Sequence, residues 1–336
     1  MSTPTGASHP DPPAIDLVVM LAGGLKPSPL AAAAGRSVLD LSVDGRQTIL
    51  DHWLEYLAPL ATSSQGLPVR ILHGSSLTPT APDHLPGGLE VSIERELKEY
   101  RGPAGVVKDA AEHLPQGATV LVVEAARWFG GDLGEVVRAH HAHDGEPPEP
   151  SSVTVVAGQG RAPAGIVVLE RSTLDSISQL GFMDLKEQWL GRVAESGRSV
   201  RVVDLGGTPS VLLREREGML TAARHATKRH FKANSAAQND SRPIRSLYSG
   251  SDQGYFAALS PQATIEPNTS IVDSVIMEGA VVKAGAIVAR SVICPGAVVA
   301  EAEVVVDQVR SGPAHASAPS AAGLGTRPTG RGEYSG

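Results

Sequence analysis

Apolar residues along the chain follow two spacings over the first two thirds and a third spacing near the end. From Ala14 to Gly23 they are nearly continuous (Ile15, Leu17, Val18, Val19, Met20, Leu21) and stop at Gly-Gly. A run of that kind is apolar on both faces and predicts a central parallel strand. After Thr48, a good N-cap, Ile49, Trp53, Tyr56, Leu57 and Leu60 recur at helical spacing, which predicts an amphipathic helix over 49–61. Further strands are expected at 68–73, 89–93, 119–123, 152–157, 164–169 and 199–204. Helices are expected near 104–114, 183–196 and 209–224. Alternation of strand and helix predicts an α/β domain over 14–231 with a mixed, mainly parallel sheet, Rossmann-like in its layering.

Beyond a polar stretch at 232–258, read as a linker, the period changes. Ile265, Ile271, Ile276, Val282, Val288, Ile293, Val299 and Val305 follow one another at steps of five or six, and Ser274-Val275-Ile276 returns as Ser291-Val292-Ile293. Small residues stand between them, as in Gly279-Ala280, Gly285-Ala286 and Gly296-Ala297. Three short faces per turn, with aliphatic residues stacked inside, produce this hexapeptide pattern. It predicts a short parallel β-helix over 259–309, and it resembles the left-handed form. Segments 1–13 and 310–336 are rich in Pro, Gly, Ser and Ala and are expected to be disordered tails.

Composition narrows the classes. The 336 residues are 41% hydrophobic, enough for a core. A formal charge of -7 argues against a nucleic-acid surface, because phosphate backbones require clustered cations. The basic run from Arg224 to Lys232 reads as a solvated helix end. No segment has the length of apolar chain that spans a bilayer, and MSTPTGASHPDPP lacks the layout of a signal peptide. The expectation is a cytoplasmic protein with neither nucleic-acid nor membrane partners. The single Cys294 lies inside the aliphatic repeat and reads as a small buried apolar residue.

Candidate chemistry starts where the first strand ends. Leu21-Ala22-Gly23-Gly24 places a glycine turn at the carboxyl edge of the predicted sheet, where exposed N–H groups receive phosphates in α/β folds, although an ordinary tight turn also fits. The stretch then runs Leu25-Lys26-Pro27-Ser28-Pro29-Leu30, Gly35-Arg36-Ser37-Val38-Leu39 and Gly45-Arg46-Gln47-Thr48-Ile49-Leu50-Asp51-His52-Trp53-Leu54. Its order resembles the sugar-phosphate nucleotidyltransferase signature, L-A-G-G-x-G-T-R-L-x-P-L with P-K and G-k-P-x-L-d-h-x-L downstream, in a loop about two residues shorter. The resemblance implies that Leu21, Ala22, Gly23 and Gly24 meet the nucleotide. It also implies that Lys26 and Arg36 stand at the positions of the signature's catalytic Arg and Lys, where cations would stabilise charge on the departing pyrophosphate.

Further segments extend the likeness over 14–309. Gly102-Pro103-Ala104-Gly105 resembles the family's G-T-A-G, implying nucleotide contacts from Gly102, Ala104 and Gly105. Ala164-Gly165-Ile166 resembles the strand opening the sugar-binding half, which implicates Gly165, and Gly181-Phe182-Met183-Asp184 implicates Asp184, which also fits as an N-terminal helix charge. Asp204-Leu205-Gly206-Gly207-Thr208-Pro209 is close to D-x-G-T-P, whose Asp is a Mg²⁺ ligand, though Asp204 also suits an Asx turn. In the family the strand corresponding to 119–123 ends in N-G-D, whose Asp is the other Mg²⁺ ligand; here that place falls to Ala126, with Glu124 two residues earlier.

Two functions are consistent with these residues. One joins a nucleoside triphosphate to a sugar 1-phosphate, with Mg²⁺ neutralising charge and pyrophosphate leaving. The other is a catalytically inactive nucleotide- or sugar-binding regulatory subunit of the same fold. A hexapeptide acyltransferase is disfavoured, since no His occurs between His230 and His315. The coil reads as a structural staple suited to homo-oligomer formation.

Overall fold

A computed structural model describes residues 14–24, 26–62, 66–74, 77–96, 100–142, 152–236 and 255–313, with backbone only for 230–236. The expected N-terminal tail lies outside the described residues, as does nearly all of the C-terminal one and the linker over 237–254.

Among the described residues nine strands precede the coil: β1 (Leu17–Leu21), β2 (Leu67–His73), β3 (Leu89–Arg95), β4 (Thr119–Glu124), β5 (Arg127–Phe129), β6 (Val153–Ala157), β7 (Pro163–Glu170), β8 (Val200–Asp204) and β9 (Ser210–Leu212). Seven of them form one sheet in the order β3-β2-β1-β4-β7-β6-β8, while β5 and β9 make a separate antiparallel pair. In the large sheet β7 alone runs against its neighbours β4 and β6, and the remaining pairings are parallel. The sheet is therefore mixed and mainly parallel, as the hydrophobic runs predict.

Among the described residues six α-helices accompany the sheet: α1 (Pro29–Ala34), α2 (Ile49–Leu57), α3 (Gly102–Ala110), α4 (Leu133–His141), α5 (Leu190–Glu195) and α6 (Arg216–Ala236). A π turn over Leu185–Trp189 leads into α5. Thr48 caps α2 through a reciprocal box with Asp51, whose carboxylate accepts from the Thr48 N–H at 3.1 Å. Alternate β1 residues enter separate cores. Leu17 and Val19 pack with α3 and Trp189, whereas Val18 and Met20 pack with α2, α4 and α6. Burial on both faces explains why β1 reads as an uninterrupted apolar run.

Two expectations need correction. The helix expected over 209–224 starts only at Arg216, because Ser210–Leu212 pairs with Arg127–Phe129 as a strand. The apolar residues of that segment gave helix and short strand alike. The linker expected at 232–258 is also shorter than its polar composition implies, since α6 continues to Ala236 and coil pairing begins at Ala257.

The C-terminal region consists of parallel strands consistent with a β-helix. Among the described residues its strands are β10 (Ala257–Leu259), β11 (Thr264–Ile265), β12 (Ser270–Val272), β13 (Ser274–Ile276), β14 (Val281–Val282), β15 (Ile287–Ala289), β16 (Val292–Ile293), β17 (Val298–Val299), β18 (Val304–Val306) and β19 (Val309–Arg310). They stack as three sheets, β10-β13-β16-β19, β11-β14-β17 and β12-β15-β18. Every pair matches a residue with the one a full repeat later, as in Val275↔Val292 and Ile287↔Val304. Ile276, Val282, Val288, Ile293, Val299 and Val305 are all buried inside. The repeated serine has a role that spacing alone did not give. Ser274 Oγ donates to Val272 O at 2.8 Å and accepts from Ser291 N at 3.1 Å, and Ser291 repeats both contacts with Ala289 O and Gln308 N. Corners need left-handed backbone, and equivalent positions on successive turns supply it, as at Asp273, Arg290 and Asp307.

Coil and sheet share a core, in which Phe256, Ala258, Val275, Met277, Val292 and Cys294 join residues of α2 and α6. Gly45, at φ +80, sits where a Cβ would lie 2.3 Å from Leu259 O, so this turn admits only glycine against the coil. Arg216 reaches Asp307 at 2.8 Å and Arg290 O at 3.0 Å, and Arg224 covers the Phe256 ring at 5.2 Å. Cys294 is buried as expected, and burial pushes its thiol up to about 11, out of the reactive range. Among the described residues, no helix is long and apolar enough to cross a membrane.

Candidate functional site

The carboxyl ends of β1, β2 and β4 meet at one edge of the sheet. Leu21 pairs with Leu72 and with Glu124, Ala22 N donates to Leu72 O at 2.8 Å, and Ala125 N donates to Leu21 O at 2.9 Å. Leu21 and Ala22 pack against the two cores on either side of the sheet, while Gly23 and Gly24 are exposed. A Cβ on either glycine would meet nothing within 4 Å, and Gly23 has φ +118. The corner is therefore open, with the backbone geometry that its glycines permit.

Of the two cations expected around it, one is exposed and the other is paired. Lys26 lies exposed on the loop after the corner. Arg36 forms an ion pair with Glu278 of the coil. In this structure Arg36 therefore makes a contact between sheet and coil. The cause is local: Gly35 ends α1 in a left-handed cap, and Ser37 starts a short 3-10 turn whose Leu39 enters the shared core.

The Gly102-Pro103-Ala104-Gly105 segment is also engaged by protein. A Cβ at Gly102, φ +69, would lie 2.5 Å from Met183 O, and Ala104 N donates to that oxygen at 3.2 Å. Ala104 and Gly105 are buried, and a Cβ at Gly105 would press on the Arg101 side chain at 3.0 Å. Arg101 is itself buried, holding Asp109 through Nε and NH2 at 3.1 and 3.0 Å and Ser178 O at 2.9 Å. In this segment Gly102 and Ala104 take part in backbone packing that fixes the 183–186 turn.

That turn delivers a residue the sequence did not single out. Asp184 caps it, accepting from Lys186 N at 2.7 Å and Glu187 N at 2.8 Å, so the helix-charge reading of Asp184 holds. Lys186 then pairs with Glu124 at the end of β4. From the other side Arg127 Nε donates to Glu124 Oε2 at 2.5 Å, and Arg127 NH1 lies 3.5 Å from Ser210 Oγ. Gly165 is the glycine this cluster requires: a Cβ there, at φ +74, would fall 2.5 Å from Arg127 Nε and 2.9 Å from Glu124 Oε2. Burial raises the Glu124 pKa, but hydrogen bonds from Lys186 and Arg127 outweigh it and hold the carboxyl below its ordinary range. Glu124 therefore stays ionised, and the three side chains together carry two positive charges against one negative.

The positions of Arg127 and its turn come from the core. Trp53 of α2 is fully buried and donates its indole N–H to Ala125 O and Arg127 O, both at 3.0 Å. Sequence could have marked Arg127 as a cation just past the apolar run of β4; Lys186 carries no such signal, because its turn meets β4 only in three dimensions. Glu96, just beyond β3, was missed too. A Cβ on Gly74 would lie 3.3 Å from its Oε2 and 3.4 Å from the Gly24 carbonyl carbon, so this carboxylate stands close to the glycine corner. Burial raises its pKa, against the opposing charge of His73.

The donor set does not fit Mg²⁺, which takes several hard oxygen ligands in a tight octahedron. Ala126 has no side-chain oxygen to offer, its carbonyl accepts from Leu213 N at 2.9 Å, and Glu124 is occupied by two cations. Asp204 accepts from Gly206 N at 2.8 Å and Arg161 Nε at 3.3 Å, an Asx turn at the end of β8. From β4 to β8 there are three strand spacings, roughly 14 Å. Among the described residues no group of three or more His, Cys, Asp or Glu is placed to hold a metal ion.

Compared with known proteins, the chain matches no family model and no curated sequence. The class that the fold defines is a mixed α/β domain joined to a coil of parallel strands.

Proposed function

We propose that the chain is a non-catalytic nucleotide- or sugar-phosphate-binding subunit of the sugar nucleotidyltransferase type. The same proposal includes the Rossmann-like nucleotidyltransferase fold and the left-handed sense of the coil, and it rests on the ordered motifs from Leu21 to Pro209. The observation that carries it is the Glu124–Arg127–Lys186 cluster at the carboxyl end of β4, where transferase chemistry would need free carboxylates for a metal. Arg36, bound to Glu278, is likewise withdrawn from a triphosphate, and Glu96 adds negative charge beside the corner that would receive one. An open glycine turn with Lys186 and Arg127 nearby remains suited to hold a phosphorylated ligand. Ile287, Val298 and Val304, exposed on the coil, favour self-association or assembly with an active partner.

Thermal melting with a panel of nucleoside triphosphates, NDP-sugars and sugar 1-phosphates tests the binding reading. A true ligand at a hundred times its Kd adds about 2.7 kcal/mol to stability. At least one member should raise the midpoint by several degrees; no shift across the panel would remove the assignment.

A further inference from the structure

The geometry points to a phosphate site, formed by Lys186 and Arg127 beside the glycine corner, that works without a divalent cation. Its ligand class is a sugar-linked phosphate, either the monoester of a sugar 1-phosphate or the diphosphate bridge of an NDP-sugar. The inference rests on the binding reading above and goes beyond it by naming the residues and removing the metal.

Three observations carry it. Arg127 and Lys186 converge on opposite oxygens of one carboxylate from separate segments, β5 and the turn capped by Asp184. Both retain donors after that contact, since an ammonium has three N–H groups and a guanidinium five. Lys186 is also a third exposed, so an oxygen can reach it. Second, the surroundings are built around the pair. Gly165 leaves the space that Arg127 and Glu124 fill, Met183 anchors the Lys186 turn to α3, and Trp53 holds the Arg127 carbonyl. Cations held this way are organised before the ligand arrives and lose little entropy on binding it. Third, the oxygen donors that would recruit a metal are spent: Glu124 is doubly paired, Asp204 closes its own turn, and position 126 is alanine. Charge on an incoming phosphate is then offset by side chains, the role a metal fills elsewhere.

Isothermal titration of the full chain with UDP-glucose, ADP-glucose, GDP-mannose and glucose 1-phosphate, each in Mg²⁺ and in EDTA, tests this. The expected result is a Kd for at least one ligand that agrees within about twofold between the two buffers. Lys186→Ala should weaken that ligand about ten- to a hundredfold, as loss of one charged hydrogen bond does, with Lys186→Arg restoring most of it. Lys186 is at the surface, so its variant keeps the fold readable, and melting without ligand checks this. Glu124→Gln should bind as tightly as the parent or tighter, because a competing negative charge is gone. Binding that needs Mg²⁺, or a Kd indifferent to Lys186→Ala, would overturn the cradle while leaving the binding reading intact. Absence of binding by all four ligands in both buffers would overturn the two together. Binding of glucose 1-phosphate assigns the monoester, and binding of the nucleotide sugars alone assigns the diphosphate.

Discussion

Trp53→Ala is expected to cost about 3–5 kcal/mol of folding stability, the range for emptying a large aromatic site in a packed core. Small domains hold about 5–15 kcal/mol in total, so this one change removes a large share. The indole is fully buried, stacks near Phe129 at 6.2 Å between ring centres, and packs in the core that joins sheet and coil. It also donates to the carbonyls of Ala125 and Arg127, the turn that presents Arg127 to Glu124. Trp53→Phe keeps most of the volume and removes the donor, and should cost about 1–3 kcal/mol. Urea denaturation of both variants gives the comparison. A cost below about 1 kcal/mol for the alanine variant would mean that the indole does not organise this core.

The second large effect is a loss of stability in mild acid. His140 of α4 is buried, with Nδ1 at 2.9 Å from Thr154 Oγ1. Burial, then the charges of His141 and Arg201, lowers its pKa from 6.5 to about 4. The unfolded chain therefore binds a proton between those pH values that the folded chain refuses. Stability from this group is complete above pH 6.5 and declines as pH falls toward 4. At about 1.4 kcal/mol per pH unit the full loss is about 3 kcal/mol. His225, lowered by its own burial and by Lys228 and Arg224, acts in the same direction. Glu94 and Glu124, held below their ordinary 4.5, add their losses only at lower pH. Denaturation at pH 7 and pH 5 should show a clear drop for the parent and a much smaller one for His140→Gln. Equal slopes for the two proteins would contradict the buried neutral histidine.

The large-scale architecture is legible in the residues because each element carries its own period. The coil is the clearest case: aliphatic steps of five and six can be satisfied only by a chain that returns each full repeat, and the pairing of Val275 with Val292 follows directly. β1 was equally plain, being apolar on both faces. Short pieces such as β5 and β9 were not, because three residues hold too few apolar positions to distinguish strand from helix.

The site was less legible for a different reason. The Gly23-Gly24 pair that closes the first apolar run located the glycine corner. What surrounds the corner is set by packing between distant segments. Arg36 occupies its motif position in sequence, yet Glu278 lies far along the chain and only the docked coil brings the two together. Gly102 and Gly165 fit a ligand-facing pattern, but their freedom is used for close approach to Met183 and to Arg127. Lys186 is an ordinary lysine on a helix-leading turn until β4 is seen beside it.

Pyrophosphate exchange tests the central claim most directly. Purified protein, labelled pyrophosphate, Mg²⁺ and the NDP-sugar that binds most tightly should yield no labelled triphosphate above a protein-free control. Steady formation of labelled triphosphate, lost on substitution of Lys26 or Asp204, would contradict a silent binding subunit and restore the transferase.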